Sequence, residues 1–175
     1  MFDKQERLQG RLEPEIREFR DATHTLVLAT VDDEGVPNVS YAPFALLEDG
    51  YYILISEMAR HTKNLLVNPQ ISLMMVEDEQ ACRNLFARKR LTFDARPERV
   101  TRDTPEWQAG IGALHARFDD TVVGLSKLAD FHLFRLVPLK GLFVKGFGKA
   151  FAVSGDDLVD VLHLTDGHRS VATTG

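Results

Sequence analysis

Residues 25–76 constrain the fold more than any other stretch of the chain. Apolar runs rich in β-branched and aromatic residues occupy 25–31, 36–47 and 51–56. Asp-Asp-Glu-Gly35 and Glu-Asp-Gly50 separate them, and both glycines suit the positive φ of a short hairpin turn. The composition of the runs favours strands over helices. A helical pattern follows at 60–67 and stops at Asn68-Pro69, because the residue before a proline is pushed out of the α region. Another apolar run fills 71–76. Three strands, a helix and a fourth strand in this order make a meander that curls into a small barrel.

This order, with its Arg60-His61-Thr62-Lys63-Asn64 helix start, resembles the pyridoxamine-phosphate-oxidase-like, FMN-binding split-barrel superfamily. The resemblance implies a mainly β protein with flanking helices, a split β-barrel, and a dimer. A fold of this kind does not fix a reaction.

The flanking segments read as follows. Residues 3–21 carry Leu8, Leu12, Ile16 and Phe19 on one helical face, with Pro14 inside the pattern, leaving one helix or two short ones. Ser40, Tyr41 and Ser56 are polar positions in apolar strands, for which cross-strand bonding or exposure is the plain reading. An acidic connection at 77–86 leads to a strand over 87–101. Leu91, Phe93 and Ala95 take one face of it, and Arg88, Arg90, Thr92, Asp94 and Arg96 the other. Such an arginine face is either solvated or lined up for an anion. Thr104-Pro105-Glu106 starts a helix that carries Trp107, Ile111, Leu114 and Phe118, and a second short helix is expected over 121–127. A strand from about 128 to a turn at 138–141, then a strand over 140–153, complete the sheet. Asp130 and His132 share a face with Phe134 and Leu136, where an acid is costly unless paired. Gly146 and Gly148 mark a bulge or the close approach of something flat. Ser154 is expected to cap a last helix over 156–163, ahead of a polar tail.

The chain of 175 residues fits one domain, with the N-terminal helical segment at 3–21, the barrel at 25–153, and the helix and tail at 154–175. Apolar residues make up 44%, enough for a sizeable core. The net charge of −5, without a basic block, argues against nucleic acid. No apolar run is long enough for a membrane span, and the N-terminus lacks a signal-peptide pattern. The lone Cys82 cannot form an internal disulfide, so a cytoplasmic location is expected. Neither a zinc-ligand spacing nor a nucleophile elbow is present.

Three features sharpen the resemblance: Arg88-Lys89-Arg90 opening the long strand, Asp130 opening a late strand, and Gly167-His168-Arg169 in the tail. Together they resemble the HugZ/HutZ-type haem-utilisation family, cytosolic split-barrel proteins that bind haem at a dimer interface and degrade it. The resemblance implies that His168 is the axial ligand of the haem iron and that Asp130 accepts its second ring N–H. It places Arg90 near the haem, and His132, on the same strand face as Asp130, either joins that pocket or packs in the core or an interface. Arg60, Thr62 and Lys63 match the positions where flavin members hold the FMN phosphate. The implied reaction opens the porphyrin with O₂ and electrons from an external donor, giving biliverdin, CO and iron. Two alternatives stand beside it: an FMN-dependent oxidoreductase, and a haem carrier or storage protein without turnover.

Overall fold

The computed structural model describes residues 4–155 and 159–160. The elements are α1 (Lys4–Ala22), β1 (Thr25–Val31), β2 (Pro37–Pro43), β3 (Ala45–Leu47), β4 (Gly50–Ser56), α2 (Arg60–Val67), β5 (Ile71–Val76), β6 (Arg90–Arg99), α3 (Pro105–Phe118), α4 (Asp120–Ser126), β7 (Phe131–Gly146), β8 (Lys149–Ser154) and β9 (Val159–Asp160). A 3₁₀ turn at Leu85–Ala87 precedes β6.

All strand pairs are antiparallel. The sheet runs β2-β1-β5-β6-β7-β4-β3, with β8 on β7 and β9 on β8. The long strand β7 organises it. One edge pairs with β6 from Phe134 to Val144. The other edge is divided, with β4 taking Phe131 to Leu136 and β8 taking Lys140 to Gly146. This division opens the barrel on one side.

The alternation of each strand sorts its side chains. Leu26, Leu28, Ile53, Ile55, Leu73, Met75, Leu91, Phe93, Phe134 and Phe143 fill the barrel, and Leu12, Ile16 and Phe19 of α1 plug one end. The outward side chains Tyr52 and Leu133 pack under Trp107 and Leu114 of α3 and Val122 of α4 in a second cluster. This explains why β4 is buried on both faces. Thr104 caps α3 by accepting a hydrogen bond from the Trp107 N–H at 3.2 Å, with Pro105 at the first helical position.

Arg135 holds the outer corner of this second layer. It donates to Asp49 at 2.7 Å and to Glu98, and it pairs with Glu106 at 3.0 Å. The Tyr52 hydroxyl donates to Asp49 at 2.9 Å, and burial followed by that bond pushes the phenol pKa up to about 12. Hydrogen bonds from Arg135 and then Arg96 hold the Glu98 carboxyl below its ordinary value of 4.5. A depressed carboxyl adds stability above its unfolded pKa and loses it as pH falls through the folded value. The melting temperature is therefore expected to drop on acidification below about pH 4.5. Glu98→Gln should flatten that drop in a melting series from pH 7 to 3, and an equal slope in both proteins would remove Glu98 from the account.

Several expectations are corrected. Residues 36–47 are two strands, broken at Phe44, whose ring is fully buried in the barrel. The strand expected over 87–101 is shorter, because 85–87 form the 3₁₀ turn. There is no turn at 138–141, since β7 runs straight through Pro138. Pro138 falls between the stretches taken by β4 and β8, where its missing N–H breaks no bond on that edge. The hairpin instead turns at Phe147-Gly148, where Gly148 has φ +64°, and the register shifts between Val144 and Gly146 as a bulge. Pro14 does not split α1, because it lies on the exposed side of the helix. Residues 159 and 160 are not helical but pair with β8, while 161–163 lie outside the described residues.

Candidate functional site

Asp130 stands at the mouth of β7, immediately before its first residue, and is half-buried. Ser56 is the last residue of β4 and lies opposite Phe131 in the ladder. Its hydroxyl donates to Asp130 Oδ2 at 3.1 Å. The Glu57 N–H donates to the Asp130 carbonyl at 2.7 Å. The other carboxylate oxygen accepts no hydrogen bond among the described residues. From the connection between β6 and α3, Arg102 stacks over Trp107 at 4.4 Å and donates to the carbonyls of Ser126, Leu128 and Phe131. Met58, 83% exposed, and Leu128, 46% exposed, leave apolar surface on the segments that carry Ser56 and Asp130.

His132 is buried. Arg99 donates to its Nδ1 at 2.9 Å, which assigns the ring proton to Nε2, and Nε2–H donates to the Glu57 carboxylate. Both ring nitrogens are engaged. The guanidinium has no acceptor, so this chain of bonds ends at Arg99 and cannot pass a proton onward.

The start of α2 lies across the turn from Ser56. Arg60 is exposed and lies 3.9 Å from Asp32. Lys63 is exposed. Thr62 is fully buried, and its hydroxyl has no partner among the described residues. Burial lowers the pKa of His61, whose Nδ1 is hydrogen-bonded to Ser40 at 2.8 Å. Asn64 donates to Thr30 at 3.0 Å and pins the helix to β1.

Arg90 lies at the opposite end of β7, where it pairs with Val144 and donates to the Arg88 carbonyl at 2.9 Å. The span of β7 from Asp130 to Val144 is up to roughly 45 Å at ~3.3 Å per residue. Arg90 and Asp130 of one chain therefore do not meet. Arg90 opens onto the outer face of the sheet, across which Tyr41, Val27, Met74, Thr92, Leu142 and Ala152 stand side by side in register on six strands. Tyr41 is 67% exposed and the neighbouring Val39 is 74% exposed.

Of the residues singled out from sequence, Asp130 and His132 thus share one corner with α2 nearby, and Arg90 stands apart. His168 lies outside the described residues. Sequence reasoning passed over Ser56, Glu57, Arg99 and Arg102. Ser56 did stand out as a polar residue in an apolar strand, but its partner is remote in the chain. Among the described residues, no three histidine, cysteine or acidic side chains come together to hold a metal ion. No described helix is long and apolar enough to cross a membrane.

A nine-stranded antiparallel sheet, split along β7 and carrying a helix before β5, defines a split-barrel protein of the pyridoxamine-phosphate-oxidase type. The family model for pyridoxamine 5'-phosphate oxidase matches residues 12–145. The chain is 61% identical to heme oxygenase HutZ of Vibrio cholerae over 97% of its own length and 96% of the relative's. The crystal structure of that protein, described as a heme storage protein, superposes with a TM-score of 0.74 at 59% identity, covering 78% of this chain and 96% of the other. Campylobacter jejuni ChuZ gives a TM-score of 0.83 at 31% identity over 93% of this chain and 67% of the other. The non-canonical heme oxygenase HOZ of Arabidopsis thaliana, a chloroplastic protein, is 30% identical over 89% of this chain and 48% of its own. The chain belongs to the HutZ-type haem-utilisation family within the split-barrel superfamily.

Proposed function

We propose that this chain binds haem and opens it oxidatively, releasing iron from the porphyrin for use in a cytoplasmic iron-acquisition route. The observation that carries the reading is the match along nearly the whole chain to a relative named as a haem oxygenase. The geometry around Asp130 suits the role. A carboxylate with one oxygen tied to Ser56 and the other open is placed to accept the outer N–H of a ligand imidazole. The open apolar surface of Met58 and Leu128 suits a flat porphyrin.

His168 is proposed as the axial ligand, with its other ring nitrogen held by Asp130. Haem supplies the oxygen chemistry once reduced by an external donor. The protein positions the ligand, keeps its tautomer fixed and holds the propionates. Arg90 is proposed for a propionate or for the far side of the haem. Because Arg90 and Asp130 stand at opposite ends of β7, the two act on one haem only when supplied by different chains. The mostly apolar row from Tyr41 to Ala152, with Tyr41, Leu142 and the neighbouring Val39 exposed, supports a homodimer through that face. His132, with both nitrogens taken, is proposed to brace the pocket from behind.

A second reading draws on one observation. The exposed cations Arg60 and Lys63 at the start of α2 suit a phosphate, and so favour an FMN-dependent oxidoreductase, whereas Thr62 between them is turned inward and fully buried. A storage role without turnover is the third, suggested by the description of the HutZ crystal structure.

Titration with hemin, followed by ascorbate in air, separates the three. A saturable Soret band is expected, weakened at least about 10-fold in affinity by His168→Ala, and in the wild type it should bleach to a bilin. A Soret band that survives ascorbate would favour storage. Bound FMN without specific haem binding would favour the flavoenzyme. Unaltered haem binding in His168→Ala would remove the ligand assignment.

A further inference from the structure

We propose that Ser56 is the positioning residue for Asp130, fixing which carboxylate oxygen is offered to the ligand imidazole; this rests on the reading of Asp130 just given. The backbone of Asp130 is held from both sides. Glu57 N–H donates to its carbonyl at 2.7 Å, Phe131 N–H reaches back to the Leu128 carbonyl at 3.2 Å, and Arg102 bridges the carbonyls of Leu128 and Phe131 at 3.0 and 2.8 Å. Glu57 is itself tied to the buried His132 ring, which Arg99 holds on its other nitrogen. What remains free is the rotation of the carboxylate, and Ser56 removes it.

The direction of that bond is fixed. Ser56 Oγ accepts the Met58 N–H at 3.2 Å. Its single proton is then directed to Asp130 Oδ2, since a carboxylate has none to give. Ser56 also closes the β4–β7 ladder opposite Phe131, so the donor sits on a rigid strand and not on the loop. The result is a carboxylate with one occupied oxygen and one oriented oxygen that accepts no hydrogen bond among the described residues. An imidazole N–H bonded to a fixed carboxylate has a more basic opposite nitrogen, and the iron bond to that nitrogen reports it.

The test uses the full chain loaded with hemin and reduced with dithionite. The iron–histidine stretching band is read by resonance Raman, and the haem reduction potential by spectroelectrochemistry. Ser56→Ala is expected to move the band to lower frequency and raise the potential, both toward the values of Asp130→Asn. Ser56→Thr keeps the hydroxyl and suits a strand, and should restore both. Haem stoichiometry of the two Ser56 variants and far-UV circular dichroism of all three should stay at wild-type levels. A wild-type spectrum in Ser56→Ala beside a shifted one in Asp130→Asn would overturn the assignment of Ser56 alone. Failure of Ser56→Thr to restore the band would reduce Ser56 to a packing residue. Wild-type spectra in both Ser56→Ala and Asp130→Asn would overturn the reading of Asp130, and this inference with it.

Discussion

Gly141→Ala is expected to destabilise the protein by about 3 kcal/mol or more, the larger of two effects expected from single substitutions in the scaffold. Gly141 faces Phe93 across the β6–β7 ladder, beside the register shift between Phe93 and Ala95. A Cβ there would lie 2.2 Å from the Thr92 carbonyl oxygen and 2.6 Å from the Phe93 ring. The first of these atoms belongs to the backbone of a central strand, and Phe93 is fully buried. Neither can swing aside, so the strands must part. Gly112 in α3 is the control, because nothing lies within 4 Å of a Cβ at that position. Gly112→Ala should gain up to about 1 kcal/mol from helix propensity alone. Urea unfolding midpoints of the two variants should move in opposite directions. A Gly141→Ala midpoint equal to that of the wild type would mean that β6 and β7 do not approach as closely as this.

Arg117→Met is the second. Arg117 comes from the last turn of α3 and reaches across to the end of α1. It donates to the carbonyls of Asp21 at 2.8 Å, Thr23 at 2.6 Å and Phe44 at 2.9 Å, and its guanidinium lies 4.8 Å from the centre of the Phe44 ring. Helix C-termini leave carbonyls without partners, and here one side chain from another element satisfies them. Its burial lowers the arginine pKa, though a guanidinium stays charged at any ordinary pH. Methionine keeps the unbranched apolar stem but gives nothing to the carbonyls. The expected cost is about 3 kcal/mol, or a fall in melting temperature of about 6–12 °C. Arg117→Lys should recover only part of it, since one ammonium cannot match the spread of a planar fork. Full recovery with lysine would show that charge alone was needed.

How much of this was legible beforehand follows from the distance over which each signal acts. The meander was readable because hairpin turns and strand alternation are local, and Gly35 and Gly50 do turn the chain with positive φ. The start of α3 was readable because a cap, a proline and an acid lie side by side. Pro138 misled, because a proline reads as a turn unless the neighbouring strands are known to leave a gap at that point. The pairing of residues 159–160 with β8 was equally hidden, since two acids after a serine look like a helix start wherever they occur. The corner around Asp130 lies at the far end of this scale. Ser56, Glu57, Arg99 and Arg102 each meet that corner from another part of the chain, and only the folded sheet brings them together. The mostly apolar row from Tyr41 to Ala152 was invisible for the same reason, as each strand contributes one side chain to it.

The divided edge of β7 also sets the order in which the molecule opens. To free β7, the chain must release β6 along one side and both β4 and β8 along the other. Among the described residues, β2, β3 and β9 each end a row of the sheet and pair with one strand alone. Thermal fluctuations therefore spend themselves at the rim, by fraying those outer strands, while the strand that presents Asp130 at its mouth stays closed. The corner that holds Asp130 is built on the part of the protein that moves last.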